Sequence, residues 1–221
     1  MRRTLVIMVK QPRAGRVKTR LGRDIGMTAA AWWFRHQSAA LIRCLRDPRW
    51  EIVLAVAPDR AVAARNWPKD LKRLPQGRGN LGDRMARMLK APPGGNAGQR
   101  PSRPPTGRAL HAHPARDRRS PNGPVCLIGA DIPGITRAQI ARAFATLGNH
   151  DAVFGPAEDG GYWLVGLKHP CRQPPGFMRG VRWSTEHALG DTLATLPGYR
   201  IALTDILRDV DTAADLAALP R

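Results

Sequence analysis

Short apolar runs recur along the chain and alternate with segments of helical periodicity. The run at 5–9 is continuous and partly β-branched, as in strands that are buried on both faces of a sheet. The other predicted strands lie at 52–57, 71–74, 125–129, 151–154, 162–167 and 201–203. Strands that alternate with helices predict a three-layer α/β/α fold with a mostly parallel, doubly wound sheet.

Capping residues place helices between these strands. Thr28 is a suitable N-cap for a long helix that ends near Arg46, because Pro48 follows just beyond. A helix is also predicted at 83–90, and one that begins at Thr136 would be closed by Gly148. The remaining predicted caps are Asp59, Ser184 and Thr212.

The segment 92–123 departs from the alternation. Its 32 residues hold seven Pro, five Gly and six Arg against one Asp, with almost no large apolar side chains. Such a composition cannot bury enough apolar surface to offset the entropy of the chain. The sequence therefore predicts one domain over 1–221, carrying a disordered or loosely attached insertion at 92–123.

The net charge of this chain is unusually high for a protein of its length. The chain has 36 basic and 17 acidic residues, a net charge of +19, which implies an anionic partner such as phosphate, nucleotide, nucleic acid or a membrane surface. Thirty of the 36 basic residues are Arg, so codon bias in a GC-rich genome explains the excess equally well.

No apolar run approaches a membrane span or a signal peptide. The three dispersed cysteines fit a reducing compartment, and we expect a cytoplasmic protein.

The segment that follows the first predicted strand is strongly basic. Between positions 10 and 23 there is no acidic residue, and the six cations are Lys10, Arg13, Arg16, Lys18, Arg20 and Arg23. Ligands of open α/β sheets bind beyond the carboxyl ends of the strands, so these cations are placed to bind phosphate. Gly15 lets the backbone turn and present its amides to an anion. The segment is neither a Walker loop nor a GxGxxG motif, and a solvated basic loop is the alternative interpretation.

Carboxylates follow three later strands. Asp131 comes directly after the strand at 125–129 and is placed to bind a hard cation such as Mg²⁺, although Asp also caps its own turns. Asp159 lies in an Asp-Gly segment between two strands, which is equally a hairpin signal. The cluster before the last helix, where capping is the ordinary role, comprises Asp205, Asp209 and Asp211. The basic loop and these carboxylates together predict a site where cations and Mg²⁺ stabilise the negative charge of a phosphate leaving group.

Several other kinds of chemistry lack support in the sequence. Neither H-E-x-x-H nor G-x-S-x-G occurs, which argues against a zinc protease or a serine hydrolase. No nucleic-acid module is recognisable, and Trp32 and Trp33 lie inside a predicted helix where packing is the expected use. Nucleic-acid binding driven by charge therefore stays a minor alternative without sequence specificity.

Six segments taken together resemble one family. They are 9–21 (VKQPRAGRVKTRL), 76–85 (QGRGNLGDRM), 127–133 (LIGADIP), 155–167 (GPAEDGGYWLVGL), 182–185 (RWST) and 208–212 (RDVDT). On these segments the chain resembles DUF2064, often described as glycosyltransferases of arsenosugar biosynthesis within the GT-A nucleotide-diphospho-sugar transferase superfamily. The resemblance implies a Rossmann-like GT-A fold and a glycosyltransferase that uses Mg²⁺ or Mn²⁺, a nucleotide-sugar donor and a small-molecule acceptor.

The resemblance also implies roles for single residues. The phosphate-binding loop would comprise Lys10, Arg13, Gly15, Lys18 and Arg20. Residues near the base or ribose would be Asn80, Leu81 and Gly82. The metal would be held by Asp131 and Asp211. The acceptor side would be formed by Asp159, Gly160, Gly161, Trp183, Ser184 and Thr185. The catalytic residues would be Asp131, Asp159 and Lys18.

A second resemblance keeps another reaction open. Phospholactate guanylyltransferases share a Lys-rich first loop, an Asp-Gly-Gly segment and a final Asp-Val-Asp-Thr, here at 209–212. Nucleotidyl transfer from an NTP with release of pyrophosphate is therefore the alternative. Sugar-nucleotide pyrophosphorylases and molybdopterin guanylyltransferases carry a Gly-Gly-x-Gly-x-Arg first loop, of which only Gly15 is present here.

Overall fold

The computed structural model describes residues 2–90 and 123–218. Its strands are β1 (Arg3–Lys10), β2 (Trp50–Ala57), β3 (Lys72–Pro75), β4 (Val125–Gly129), β5 (Ala152–Pro156), β6 (Tyr162–Leu167) and β7 (Ile201–Leu203). Its α-helices are α1 (Thr19–Ile25), α2 (Met27–Cys44), α3 (Leu81–Lys90), α4 (Arg137–Thr146), α5 (Ala188–Ala194) and α6 (Ala213–Ala217). The predicted insertion at 92–123 lies outside the described residues except for Gly123. No helix in the described ranges is long and apolar enough to cross a membrane.

The seven strands form one sheet in the order β3-β2-β1-β4-β6-β5-β7. The pairs β1–β2, β1–β4, β2–β3 and β5–β7 are parallel. Strand β6 is antiparallel to both β4 and β5. Residues 157–161 are too few for the crossover that a parallel pair requires, so β5 and β6 form a hairpin. The sheet is mostly parallel, as the alternation of strands and helices predicts.

Helices cover both faces of this sheet. Because alternate residues of a strand point to opposite faces, Leu5 of β1 packs with Leu41 of α2 and Phe144 of α4 on one side. Val6 packs with Leu89 of α3 and with residues in and after α5 on the other side. The three-layer α/β/α fold predicted from the sequence is therefore confirmed.

The start of the long second helix differs from its prediction. Thr28 does not cap it, because α2 begins at Met27 and its N-cap is Gly26. Gly26 also ends α1, a helix that forms inside the segment predicted to be a basic loop. Val17 and Leu21 are both buried there. Their packing stabilises the helix, although the many cations of the segment are typical of an exposed loop.

Two other predicted caps are wrong. Asp59 starts only a single 3-10 turn, Asp59–Ala61, because its carboxylate instead accepts a hydrogen bond from the backbone N–H of Gly77 at 3.0 Å. Ser184 adopts a left-handed backbone with φ of 63°, whereas the usual N-cap conformation lies in the β region. Helix α5 therefore begins only at Ala188, after His187, whose side chain makes no capping hydrogen bond.

Thr136 is a predicted cap that the structure confirms. Its hydroxyl accepts from the Gln139 backbone N–H, and the Gln139 side chain accepts from the Thr136 backbone N–H at 2.7 Å, which forms a capping box. We expect Thr136→Ala to lower the free energy of unfolding by about 1 kcal/mol in urea denaturation. Thr28→Ala is the matched control, since an exposed position inside a helix should change by less than about 0.5 kcal/mol. Equal losses in both variants would contradict this assignment of the caps.

Candidate active site

A cavity of about 570 Å³ lies at the carboxyl ends of β1 and β4, where α/β sheets bind their ligands. Residues predicted from five separate parts of the sequence meet in its wall. They are Lys10, Lys18, Leu81, Asp131, Asp159, Gly161, Trp183, Ser184 and Thr185. We call this the first cavity.

Lys18 lies among three carboxylates at the edge of the first cavity. Its Nζ atom is 2.8 Å from Asp209 Oδ1, 3.3 Å from Asp211 Oδ1 and 3.6 Å from Asp131 Oδ2. Only 5% of the Lys18 side chain is exposed. Burial lowers the pKa of Lys18, but the charges of Asp131 and Asp209 outweigh it and hold that pKa above its usual value. The ammonium group is therefore charged, and it ties the first loop to the segment before α6.

The backbone at both sides of this cluster fixes the contacts. Lys18 precedes α1 with a left-handed φ of 43°, a conformation that costs a residue with a side chain roughly 1 kcal/mol. Its ion pairs offset that cost, as is common for strained residues at functional sites. On the opposite side, Thr212 and Asp215 form the capping box of α6, which confirms the Thr212 cap and holds Asp211 in place.

Asp131 differs from its two neighbours. Its side chain is 45% exposed, against 26% for Asp209 and 36% for Asp211. Burial, followed by the charge of Asp131, raises the pKa of Asp209 above its usual range, and the contact with Lys18 offsets this only in part. Of the three carboxylates around Lys18, Asp131 is thus the one most open to a ligand.

The carboxylates around Lys18 supply part of the oxygen ligands that a hard divalent cation requires. The described residues contain no group of three or more Asp, Glu, His or Cys side chains arranged to hold a metal ion. Magnesium, however, is usually bound by one or two carboxylates together with substrate phosphates. Asp131 can supply such oxygens together with Asp211, its predicted partner, or with Asp209. All three carboxylates lie within 3.6 Å of the Lys18 ammonium group. The residues therefore fit a metal that arrives with a phosphate ligand.

The other predicted phosphate ligands divide between two places. Arg20 donates to Asp211 Oδ2 at 2.9 Å on the exposed side of the carboxylate cluster. Lys10 and Arg13 line a second cavity of about 740 Å³, next to the exposed turn at Gly15. The charged residues of this second cavity are Lys10, Arg13, Arg16, Arg60, Arg84 and Asp59.

The predicted nucleotide side and acceptor side touch at the start of α3. Asn80 and Asp83 exchange side-chain and backbone hydrogen bonds of 2.9 and 3.0 Å, so the Asn80 side chain caps the helix. Leu81 lines the first cavity. A Cβ atom on Gly82 would lie 2.6 Å from the Met178 backbone oxygen and 2.8 Å from Trp183 Cζ2. Gly82 therefore acts on the site through packing against Trp183.

Gly82→Ala is expected to disturb both stability and the cavity wall. The new methyl group overlaps the backbone of Met178 and the Trp183 ring, which should lower the free energy of unfolding by about 2 kcal/mol. Urea denaturation measures this loss. Gly190→Ala is the control, because a Cβ there meets no atom within 4 Å and alanine favours the helix. A Gly82→Ala protein as stable as wild type would refute the close packing.

Five of the six predicted acceptor residues line the first cavity, and Gly160 does not. Asp159 accepts from the Gly161 backbone N–H at 3.0 Å in the β5–β6 hairpin turn, which confirms the hairpin signal. Gly160 has a left-handed backbone and packs directly on the Glu186 backbone, where no side chain fits. Trp183 follows in the same wall, and its Nε1 is a buried polar side-chain atom without a hydrogen-bond partner among the described residues.

Sequence reasoning did not assign three residues that the structure places at the site. Asp209 belongs to the predicted carboxylate cluster before the last helix but receives no role of its own there, yet it makes the shortest contact with Lys18. Gln76 is buried between β1 and β2, where its Nε2 donates to the Val9 and Ala55 backbone oxygens. Arg84 lines both cavities. The alternating Asp-Val-Asp pattern is the signal that points to Asp209, and the segment at 76–85 contains the other two.

Solved structures share this fold. A candidate nucleotide-diphospho-sugar transferase from Desulfovibrio desulfuricans G20 is 25% identical with a TM-score of 0.75, over 100% of this chain and 87% of that one. A Mycobacterium tuberculosis rv0371c homolog from Mycobacterium sp. strain JC1 is 16% identical, with a TM-score of 0.53 over 98% and 95% of the two chains. The 4-diphosphocytidyl-2C-methyl-D-erythritol synthase of Anaerococcus prevotii DSM 20548 is 8% identical, with a TM-score of 0.53 over 98% and 95%. The comparison with curated proteins finds no match.

The fold and the position of the cavity define the class. This is a Rossmann-like GT-A fold, the fold class of nucleotide-using transferases. Residues 40–185 match DUF2064, described as an uncharacterized protein conserved in bacteria, and the chain belongs to that family. The resemblance seen in the six sequence segments is confirmed.

Proposed function

We propose that this chain is a metal-dependent glycosyltransferase that moves a sugar from a nucleotide-sugar donor to a small-molecule acceptor. The observation that carries the proposal is the meeting, at one sheet edge, of unpaired cations with the exposed carboxylate of Asp131. Membership of DUF2064 and the likeness to the Desulfovibrio protein support it.

The cations suit the phosphates of such a donor. Within residues 2–90 and 123–218, the side chains of Lys10, Arg13 and Arg16 make no hydrogen bond or ion pair. Unpaired cations around a cavity attract and bind phosphate oxygens, and Arg binds them in a fixed fork. A metal held by Asp131 and Asp211 would neutralise the diphosphate as the sugar leaves. Arg20 and Lys18 would keep the two loops of the site together.

Residues on the opposite wall suit an acceptor. Trp183 and Tyr162 offer apolar ring surface with ring centroids 6.3 Å apart, on which a sugar or another small molecule can pack. Asp159 is exposed at the cavity rim and is proposed to take the proton of the acceptor hydroxyl as that oxygen attacks the sugar. The bond between the sugar and the diphosphate then breaks, and a nucleoside diphosphate leaves.

A nucleotidyltransferase is the second candidate. Its motivating observation is the second cavity, where five cations face a single acidic residue, Asp59, and Asp59 already accepts a backbone hydrogen bond. Such an excess of positive charge suits a triphosphate as well as a diphosphate. In this reaction the acceptor attacks the α-phosphate of an NTP, and pyrophosphate leaves.

The released product separates these two reactions. The full-length protein is incubated with Mg²⁺ or Mn²⁺ and panels of nucleotide sugars and NTPs, after a thermal-shift screen selects ligands. A ligand at 100 times its dissociation constant adds about 2.7 kcal/mol to stability. Nucleoside diphosphate released from a nucleotide sugar supports glycosyl transfer, and pyrophosphate released from an NTP supports nucleotidyl transfer. Binding of neither class, with or without metal, would overturn both candidates.

A further inference from the structure

The first and second cavities meet along a shared wall. Three residues line both of them, and all three are cations: Lys10, Arg16 and Arg84. Lys10 ends β1 and Arg16 lies in the loop that follows, and both are exposed, whereas Arg84 is half-buried in α3. A ligand that extends through both cavities has to pass this triplet, and cations at such a crossing favour an anionic centre over a neutral one.

Arg84 is held in place more firmly than the other two cations. Its Nη1 donates to Gln76 Oε1 at 3.1 Å, and its Nε donates to the Asn80 backbone oxygen at 3.2 Å. A guanidinium group carries five N–H donors, so three remain for a ligand. Because the side chain is already ordered, binding loses less conformational entropy there than at an unanchored side chain.

Gln76 is the residue that fixes this arrangement. It is 2% exposed, and both Nε2 protons are directed to the Val9 and Ala55 backbone oxygens. That leaves Oε1 as the acceptor for Arg84. Gln76 is therefore committed to the protein and has no donor left for a nucleotide.

We propose that Arg84 binds the diphosphate of the nucleotide ligand where the two cavities meet, and that Gln76 positions Arg84 for this contact. The inference rests on the proposed function, since it requires a phosphate-bearing ligand. Arg84 is then a residue that contacts the ligand, and Gln76 is a positioning residue. The two ends of the ligand lie in different cavities.

Arg87 supplies the matched control. It lies one turn further along α3, and its guanidinium group donates to the Gln76 and Arg78 backbone oxygens at 2.7 and 2.9 Å. Arg87 lines neither cavity. The two arginines thus share a helix, a charge and a link to Gln76, and they differ in access to the ligand.

Inorganic pyrophosphate is the probe, measured by isothermal titration calorimetry on the full-length protein without divalent metal. Arg84→Met should weaken its binding at least about tenfold, because a charge-assisted contact is lost, whereas Arg87→Met should change it by less than about twofold. Arg84→Lys should recover part of the affinity, since Lys keeps the charge without the fork. Equal effects of Arg84→Met and Arg87→Met, or wild-type protein that does not bind pyrophosphate, would overturn the assignment of Arg84.

A double-mutant cycle tests the positioning role of Gln76. Gln76→Met should weaken pyrophosphate binding in wild-type protein and leave it unchanged in the Arg84→Met background, since its effect runs through Arg84. An equal loss from Gln76→Met in both backgrounds would assign it a merely structural role. If pyrophosphate binding follows these expectations but no transfer product forms, the proposed function fails and the Arg84 contact stands.

Discussion

Asp131→Asn is expected to lower transfer by at least about a hundredfold while the protein stays folded. Asp131 is the most exposed of the three carboxylates around Lys18 and makes the longest contact with it, at 3.6 Å. Unlike Asp209 and Asp211, it accepts no hydrogen bond from Lys18, and it is therefore the most available of the three to a metal in the cavity. Replacing one carboxylate oxygen by an amide removes a charge that Mg²⁺ or Mn²⁺ requires. The free energy of unfolding should change by less than about 1 kcal/mol.

Two readouts keep this test specific. Product formation is measured with the donor identified in the ligand screen, and Mn²⁺ binding is measured separately by electron paramagnetic resonance. Asp205→Asn is the control, because Asp205 pairs with Arg142 at 2.9 Å on the surface and lines neither cavity. Normal transfer and normal metal-dependent nucleotide binding in Asp131→Asn would sink the proposed metal site.

Lys18→Met is expected to change metal affinity and stability in opposite directions. Its ammonium group occupies the point where Asp131, Asp209 and Asp211 converge, so a divalent cation has to share or replace it. Without Lys18, three carboxylates repel one another, and Mn²⁺ should bind about tenfold tighter or more. In the absence of metal, the free energy of unfolding should fall by about 2 kcal/mol, because a mostly buried ion cluster loses its cation.

Arg20→Met provides the graded comparison. Among the described residues Arg20 pairs with Asp211 alone, and it is 67% exposed, so its removal should raise Mn²⁺ affinity less than the removal of Lys18 does. Manganese titration and urea denaturation with and without Mn²⁺ measure both effects, and added Mn²⁺ should stabilise Lys18→Met more than wild type. Weaker Mn²⁺ binding by Lys18→Met would show that Lys18 assists the metal instead of competing with it.

The core strands were predictable because they depend on local sequence. Continuous apolar runs at 5–9, 52–57, 125–129 and 162–167 lie within β1, β2, β4 and β6, since strands buried on both faces need apolar residues at every position. The helix boundaries were less predictable. Thr28 has the chemistry of a cap, but packing of Val17 and Leu21 creates α1 and moves the start of α2 to Met27.

The site was predictable to the extent that strand ends determine it. Lys10 and Asp131 follow the apolar runs of β1 and β4 directly, and parallel neighbours bring those two ends to one edge of the sheet. The partners of Lys18 were not predictable in this way. Asp209 and Asp211 lie 191 and 193 residues away along the chain, and no periodicity relates such positions.

The sequence alone predicts the α/β class, the order of the strands along the chain and the edge of the sheet where charged residues collect. These properties follow from apolar periodicity, which each segment carries independently of the others. How the charges pair with one another depends on the tertiary structure. It placed Lys18 among three aspartates, Arg20 on Asp211, and Arg84 on Gln76 between the two cavities. Contacts between distant side chains depend on how whole elements pack, so they exist only once the layers of the fold have come together.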